Sequence, residues 1–129
     1  MNNKGFSLIE LLAVITIIGL LSSIAVIAYN EIILNSKTRV YKNYEVTMKA
    51  ETEMYLINHN ELIPAVGNQT IINLSSLNID PIINPDNKND KCLTSYVKVT
   101  RGDNIEGNVN LDYQVCLICN NYKTSNSCN

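Results

Sequence analysis

Apolar positions are spread unevenly along the chain, and the spacing changes twice. From Leu11 to Asn30 no residue is charged. At about 1.5 Å of rise per helical residue, that run matches a bilayer hydrocarbon core roughly 30 Å thick. A membrane-spanning helix is expected there, loosened at most by Gly19 and the pair Ser22-Ser23. Glu10 stands at its head, one turn after Phe6, and an ionised carboxylate in lipid costs on the order of 3 kcal/mol unless it is paired. A partner for Glu10 is therefore expected.

After Asn30 the run turns polar, with no helix breaker before Pro64. Ile33, Val40, Tyr44, Met48 and Tyr55 recur at spacings of four or seven. Lys37 and Glu51 interrupt that stripe, and Lys42, Glu45, Lys49 and Glu53 take other faces. This spacing predicts an amphipathic continuation of the same helix to about Asn58, giving a rod close to 80 Å long at the helical rise. His59 falls at the helix end, where a solvated or helix-end cationic role is expected, and Pro64 and Gly67 mark a turn. Residues 65–91, rich in Asn and Ile and punctuated by Pro81 and Pro85, read as a connecting loop with one short helix over 74–78 capped by Asn73.

From Cys92 the period becomes two. Leu93, Val97 and Val99 share one face. After a turn at Arg101-Gly102-Asp103-Asn104 and Gly107, Val109, Leu111, Tyr113, Val115 and Leu117 share another. Two antiparallel strands are expected, with Val99 opposite Val109, Val97 opposite Leu111 and Leu93 opposite Val115. That register sets Cys92 opposite Cys116, at a separation a disulfide spans. The favoured pairing is therefore Cys92–Cys116 with Cys119–Cys128, and a slipped register gives Cys92–Cys119 with Cys116–Cys128.

Composition narrows the function. The 129 residues carry a formal charge of -2, 46% are hydrophobic and four are cysteines. There is no basic excess to recommend nucleic acid as a partner of the monomer. The apolar run leaves on the order of 70 residues for a globular head, a size at which cores are usually stapled. An even cysteine count confined to that head points to two disulfides in an oxidising compartment. Cys116-x-x-Cys119 lacks the second close pair of a zinc ribbon and the following helix of a redox motif. Asp86-Asn87-Lys88-Asn89-Asp90 carries a lysine where a calcium loop needs a ligand, so a solvated turn is expected. With His59 the single histidine, no histidine pair is available for a metal or a catalytic triad. No cofactor, no metal and no enzymatic activity are expected.

Gly5, Phe6, Glu10 and the apolar tail Leu11 to Leu21 resemble the N-terminus of type IV pilins and pseudopilins, over Lys4 to about Tyr29. The resemblance implies that a prepilin peptidase cuts between Gly5 and Phe6, that its N-methyltransferase activity modifies Phe6, and that Glu10 is the assembly carboxylate. The amine freed at Phe6 supplies the partner that Glu10 needs, since the two lie on one face of a straight helix. It belongs either to the same chain or to a neighbouring copy. Tyr29 matches the family's aromatic at the lipid boundary; Ile27 stands where many members have a proline.

The implied fold is α+β and pilin-like, a long helix packed on a small antiparallel sheet with a disulfide-stapled C-terminal region. Its expected divisions are a leader over 1–5, a transmembrane or filament-core half over 6–29, an amphipathic half over 30–58, a loop over 59–91 and the sheet over 92–129. The implied role is a structural subunit of a type IV pilus, partnered by the peptidase, copies of itself and other pilins, and an assembly platform with its ATPase. The protein would start as a single-pass precursor in a bacterial membrane and end in an extracellular filament. A pseudopilin of secretion or DNA uptake is the alternative. A rival of another class is a secreted disulfide-rich binding module freed by signal peptidase, with Lys4 as the basic flank, Ser23-Ile24-Ala25 as the cut site and a start near Val26.

Overall fold

A computed structural model describes residues 5–128. The expected leader positions Met1 to Lys4 lie outside the described residues. One α-helix, α1, covers Leu8–Asn58. Five short strands follow: β1 (Gln69–Asn73), β2 (Tyr96–Arg101), β3 (Leu111–Cys116), β4 (Ile118–Cys119) and β5 (Tyr122–Lys123). The chain divides into two compact units, and the boundary falls within α1 between Ser36 and Lys37.

In the second unit, β1, β2 and β3 form an antiparallel sheet in that order, and β4 pairs with β5. The alternation read at Val97 and Val99 holds, since both are fully buried while Tyr96, Lys98 and Thr100 between them are half-exposed. Ile72 of β1 lies opposite Val97, and Val115 of β3 lies opposite it on the other side. These side chains pack with Tyr41, Met48 and Leu56 of α1 and with Leu117 in one core cluster. Burying a side chain such as Val97 or Leu117 contributes about 1.5–3 kcal/mol. The fold is thus α+β, with the part of α1 from Lys37 on packed on a small antiparallel sheet that carries two disulfides.

Four expectations are corrected. The loop expected over 59–91 contains β1, whose sequence Gln69-Thr70-Ile71-Ile72-Asn73 buries only Ile72. An edge strand with one buried residue shows too little alternation to stand out. The short helix after Asn73 is a single 3-10 turn, Leu74–Ser76, and the Asn73 side chain makes no capping hydrogen bond. The helix stripe is rotated: Tyr41, Met48, Thr52 and Leu56 are the buried positions of α1, and only Met48 had been assigned to the inward face. Thr52 is tolerated inside because its hydroxyl donates to the Met48 carbonyl at 2.7 Å.

The fourth correction is the sheet register. Val99 faces Tyr113 instead of Val109, and Tyr96, not Cys92, faces Cys116. The cause is the turn. Glu106 and Gly107 take φ of 51° and 81°, the two positive values that a tight hairpin tip of the primed type needs. The amide and carbonyl hydrogen bonds between Ile105 and Asn108, 3.1 and 2.9 Å, close that tip. Its centre lies between Glu106 and Gly107, and one more residue on the β2 side of the loop (102–104) than on the β3 side (109–110) makes the net slide four residues, an even shift that keeps Val97, Val99, Leu111, Tyr113 and Val115 on their expected faces.

With the register moved, the cysteines re-pair. Cys92 leaves the strand line in a left-handed turn at φ 49°, where its carbonyl accepts the Ser95 amide at 3.1 Å. It bonds to Cys119, and Cys116 bonds to Cys128. The favoured Cys92–Cys116 and Cys119–Cys128 pairing is therefore overturned in favour of its slipped-register alternative.

Candidate functional site

The chemistry-bearing residues at the N-terminus are built by a helix start. Gly5, Phe6 and Ser7 precede α1. Ser7 opens the helix: its carbonyl accepts the amides of Glu10 and Leu11 at 3.1 and 3.2 Å, and its hydroxyl accepts the Glu10 amide at 3.3 Å. Ser7-x-x-Glu10 has the spacing of a capping box, and an acidic side chain in the first turn faces the positive end of the helix dipole. Sequence reading missed this local role of Glu10, although the serine three residues before a glutamate is its signal. Because α1 begins at Leu8, Phe6 stands outside the helix, and the expected shared helical face of Phe6 and Glu10 is not formed within this chain.

A methyl group added at Gly5 would meet nothing within 4 Å. Packing in the fold therefore places no demand for glycine at that position. From Gly5 through Ile32 every residue is exposed. Phe6, Leu8 and Ile9 are among the most exposed, at 80%, 84% and 75%. The aliphatic hydroxyls inside the uncharged run are satisfied within the helix: Thr16 donates to Ala13, Ser22 to Ile18 and Ser23 to Leu20, at 2.8, 2.7 and 2.7 Å. A helical run whose backbone and aliphatic hydroxyls are bonded internally can leave water at little cost, and by length and composition α1 is long and apolar enough to cross a membrane.

In the second unit the polar residues are organised around Asn84, which is fully buried. Its Oδ1 accepts from the Tyr41 hydroxyl at 2.8 Å and the Asp86 amide at 2.9 Å. Its Nδ2 donates to Asp90 at 2.9 Å and to Asn121 at 2.8 Å. Asp86 forms an ion pair with Lys37. Asp90 accepts the Asn120 amide at 2.6 Å and the Cys92 amide at 3.1 Å. The segment expected as a solvated turn is therefore a tie between α1 and the C-terminal strands.

The electrostatics follow from these bonds. The Lys37 ammonium holds the Asp86 carboxyl below its ordinary range, and the Asn120 amide does so for Asp90. Tyr41 stacks on Tyr122 with ring centroids 3.9 Å apart. Both are pushed up to about 12, first by burial and then by the neighbouring carboxylates, Asp86 for Tyr41 and Glu45 for Tyr122.

Asp90, Cys92 and Cys119 bring a carboxylate oxygen and two sulfurs within 4.8 Å of one another. The sulfurs are bonded to each other, so neither is the thiolate a metal requires. Cys116 and Cys119 sit in different disulfides and form no dithiol pair.

An exposed, uncharged run of α1 with Glu10 at its head, together with a disulfide-stapled sheet domain, makes up a pilin-like α+β fold. Residues 1–26 match the prokaryotic N-terminal methylation motif. That motif is the signature of type IV pilins and pseudopilins, a structural family, and it supports a pilin-like or pseudopilin protein with a membrane-anchored precursor. Comparison with curated proteins and with solved structures finds no match.

Proposed function

We propose that the chain is the precursor of a structural subunit of a type IV pilus. In this reading residues 1–5 are a leader removed between Gly5 and Phe6 by a prepilin peptidase, and the new amine of Phe6 is methylated. Residues 6–29 anchor the precursor in the membrane and then pass into the filament core, and 30–58 carry the head built by the rest of the chain. An assembly platform and its ATPase drive the transfer, and the filament is extracellular.

The observation that carries the reading is the matched motif over residues 1–26. Support comes from Gly5, whose glycine identity no contact in the fold requires, and from the uncharged run Leu11 to Asn30 of α1, all of it exposed. Within the filament, Glu10 pairs with the Phe6 amine of a neighbouring copy. The helix start at Leu8 favours this over pairing within one chain, because Phe6 is not held on the Glu10 face.

The test is the N-terminal residue and intact mass of the protein recovered from its native cell envelope. A start at Phe6 with one added methyl group is the expected result. A start near Val26 would remove the helix and Glu10 and replace this reading by a secreted binding module. Shearing then separates the two filament classes: long surface filaments mark a pilus subunit, and processed protein that stays in the envelope marks a pseudopilin.

A further inference from the structure

Along one flank of α1 in the second unit lie two adjoining hollows of about 340 Å³ each, sharing Glu51 and Asn78. Glu51 is half-buried, and Asp80 lies exposed on the same rim. Neither carboxylate has a hydrogen bond or ion pair among the described residues. Apolar surface lies between and beside them, from Ile79 and from Met54, which is 60% exposed. A groove that combines two unpaired acids with apolar patches fits a partner carrying bases beside an exposed aliphatic side chain.

The same chain presents that surface elsewhere. Arg39 and Lys42, three residues apart on α1, are exposed and without an ion pair among the described residues. Val46, one turn beyond Lys42, is 69% exposed. At 3.6 residues per turn, Lys42 lies roughly 180° around the helix axis from Glu51, so the bases cannot reach the groove of their own chain. We propose that the groove at Glu51 and Asp80 docks the Arg39, Lys42 and Val46 face of a second copy. The two patches differ and sit on opposite flanks, so the contact is head-to-tail and leaves a free groove and a free basic face at its ends. A contact of this heterologous kind builds an open filament when its rotation does not close into a ring. This inference rests on the filament reading and adds a lateral contact between heads, separate from Glu10.

The test uses the full chain in cells that assemble it, with sheared filament measured against total processed protein. The groove reversal Glu51→Lys with Asp80→Lys, and the face reversal Arg39→Glu with Lys42→Glu, each lower filament yield about ten-fold or more, and all four changes together restore it. Intact mass confirms both disulfides in every variant. Where a reversal pair fails to fold, Glu51→Gln with Asp80→Asn replaces it and gives a smaller loss. Wild-type yield from any of the pairs overturns the contact and leaves the filament reading standing. Loss in the groove variant that the four-fold variant does not restore also overturns it, by assigning the groove to another protein of the assembly machinery. Absence of processed filament from the wild-type chain overturns the filament reading and this contact with it.

Discussion

The two units of this chain solve burial in opposite ways. Between Gly5 and Ser36 no described residue is buried, and Ile33 alone is half-buried, although the segment is the most apolar in the protein. From Lys37 onward the chain is far more polar, yet it encloses Met48, Val97, Val99 and Leu117 completely. A lone helix has nothing of its own to fold against, and apolar surface of that kind takes lipid or other helices to cover it. The head makes its own interior and secures it with covalent links, because so few apolar side chains are available. Changes in the first unit should therefore register in assembly, and changes to the interior of the second in the stability of the isolated chain.

The sharpest break in that contrast comes from Glu10→Ala. Under the filament reading proposed above, it strands the Phe6 amine in the filament core, where an unpaired charge costs about 3–5 kcal/mol, so surface filament should vanish. Membrane fractionation should still find the chain inserted, and urea unfolding of the detergent-solubilised protein should be unchanged.

Removing Cys92–Cys119 by paired alanine substitution has the reverse signature. Its sequence separation of 27 closes the larger loop, worth about 3–4 kcal/mol by loop entropy. The Cys116–Cys128 separation of 12 predicts a loss about 0.7 kcal/mol smaller. Urea midpoints of the two double variants give the ranking, and equal midpoints would count against an entropic origin.

Asn84→Ala is next. It removes the acceptor of Tyr41 and the donor to Asp90 in a buried site, for a loss of about 2 kcal/mol on the same urea assay.

The smallest effects come from pH. Asp86 and Asp90 titrate below their ordinary 3.8 when folded, so their stabilisation is present above about pH 4 and falls away as pH drops through the lowered values. Tyr41 and Tyr122, raised from 10 to about 12, contribute fully below pH 10 and lose their contribution between 10 and 12. Urea midpoints at pH 3, 6 and 11 should therefore peak at 6. A midpoint that rises at either extreme would sink the stabilising role given to the polar network around Asn84.

What was legible in the sequence divides along the same line. An uncharged run and a glutamate at its head are local facts, so the helix, its motif and its exposure could all be read from residues 5–30. The period of two at Val97 and Val99 likewise survives any register. Register itself depends on which residues take positive φ. The turn signals at Arg101-Gly102-Asp103-Asn104 and Gly107 span too many residues to fix the centre of the turn, so matching the apolar faces sets the expected register, centred on Asn104, and with it the expected cysteine pairing. Asn84 was invisible because its partners come from Tyr41, Asp90 and Asn121, far apart along the chain. Only folding shows that an asparagine in an asparagine-rich loop is the one that becomes buried. Tyr41, Thr52 and Leu56 were missed for a related reason: the inward face of α1 is set by where the sheet docks, and the stripe through Tyr44 and Tyr55 was equally regular.

The disulfides overlap in sequence, since Cys92 bonds beyond Cys116 to Cys119 and Cys116 bonds beyond Cys119 to Cys128. A chain delivered N-terminus first into an oxidising compartment exposes Cys92, then Cys116, before either native partner has arrived. Pairing in order of arrival yields Cys92–Cys116, which the native sheet forbids. Oxidative maturation of this head therefore requires either that the hairpin register form before the thiols react or that a disulfide isomerase undo the early bond by thiolate attack.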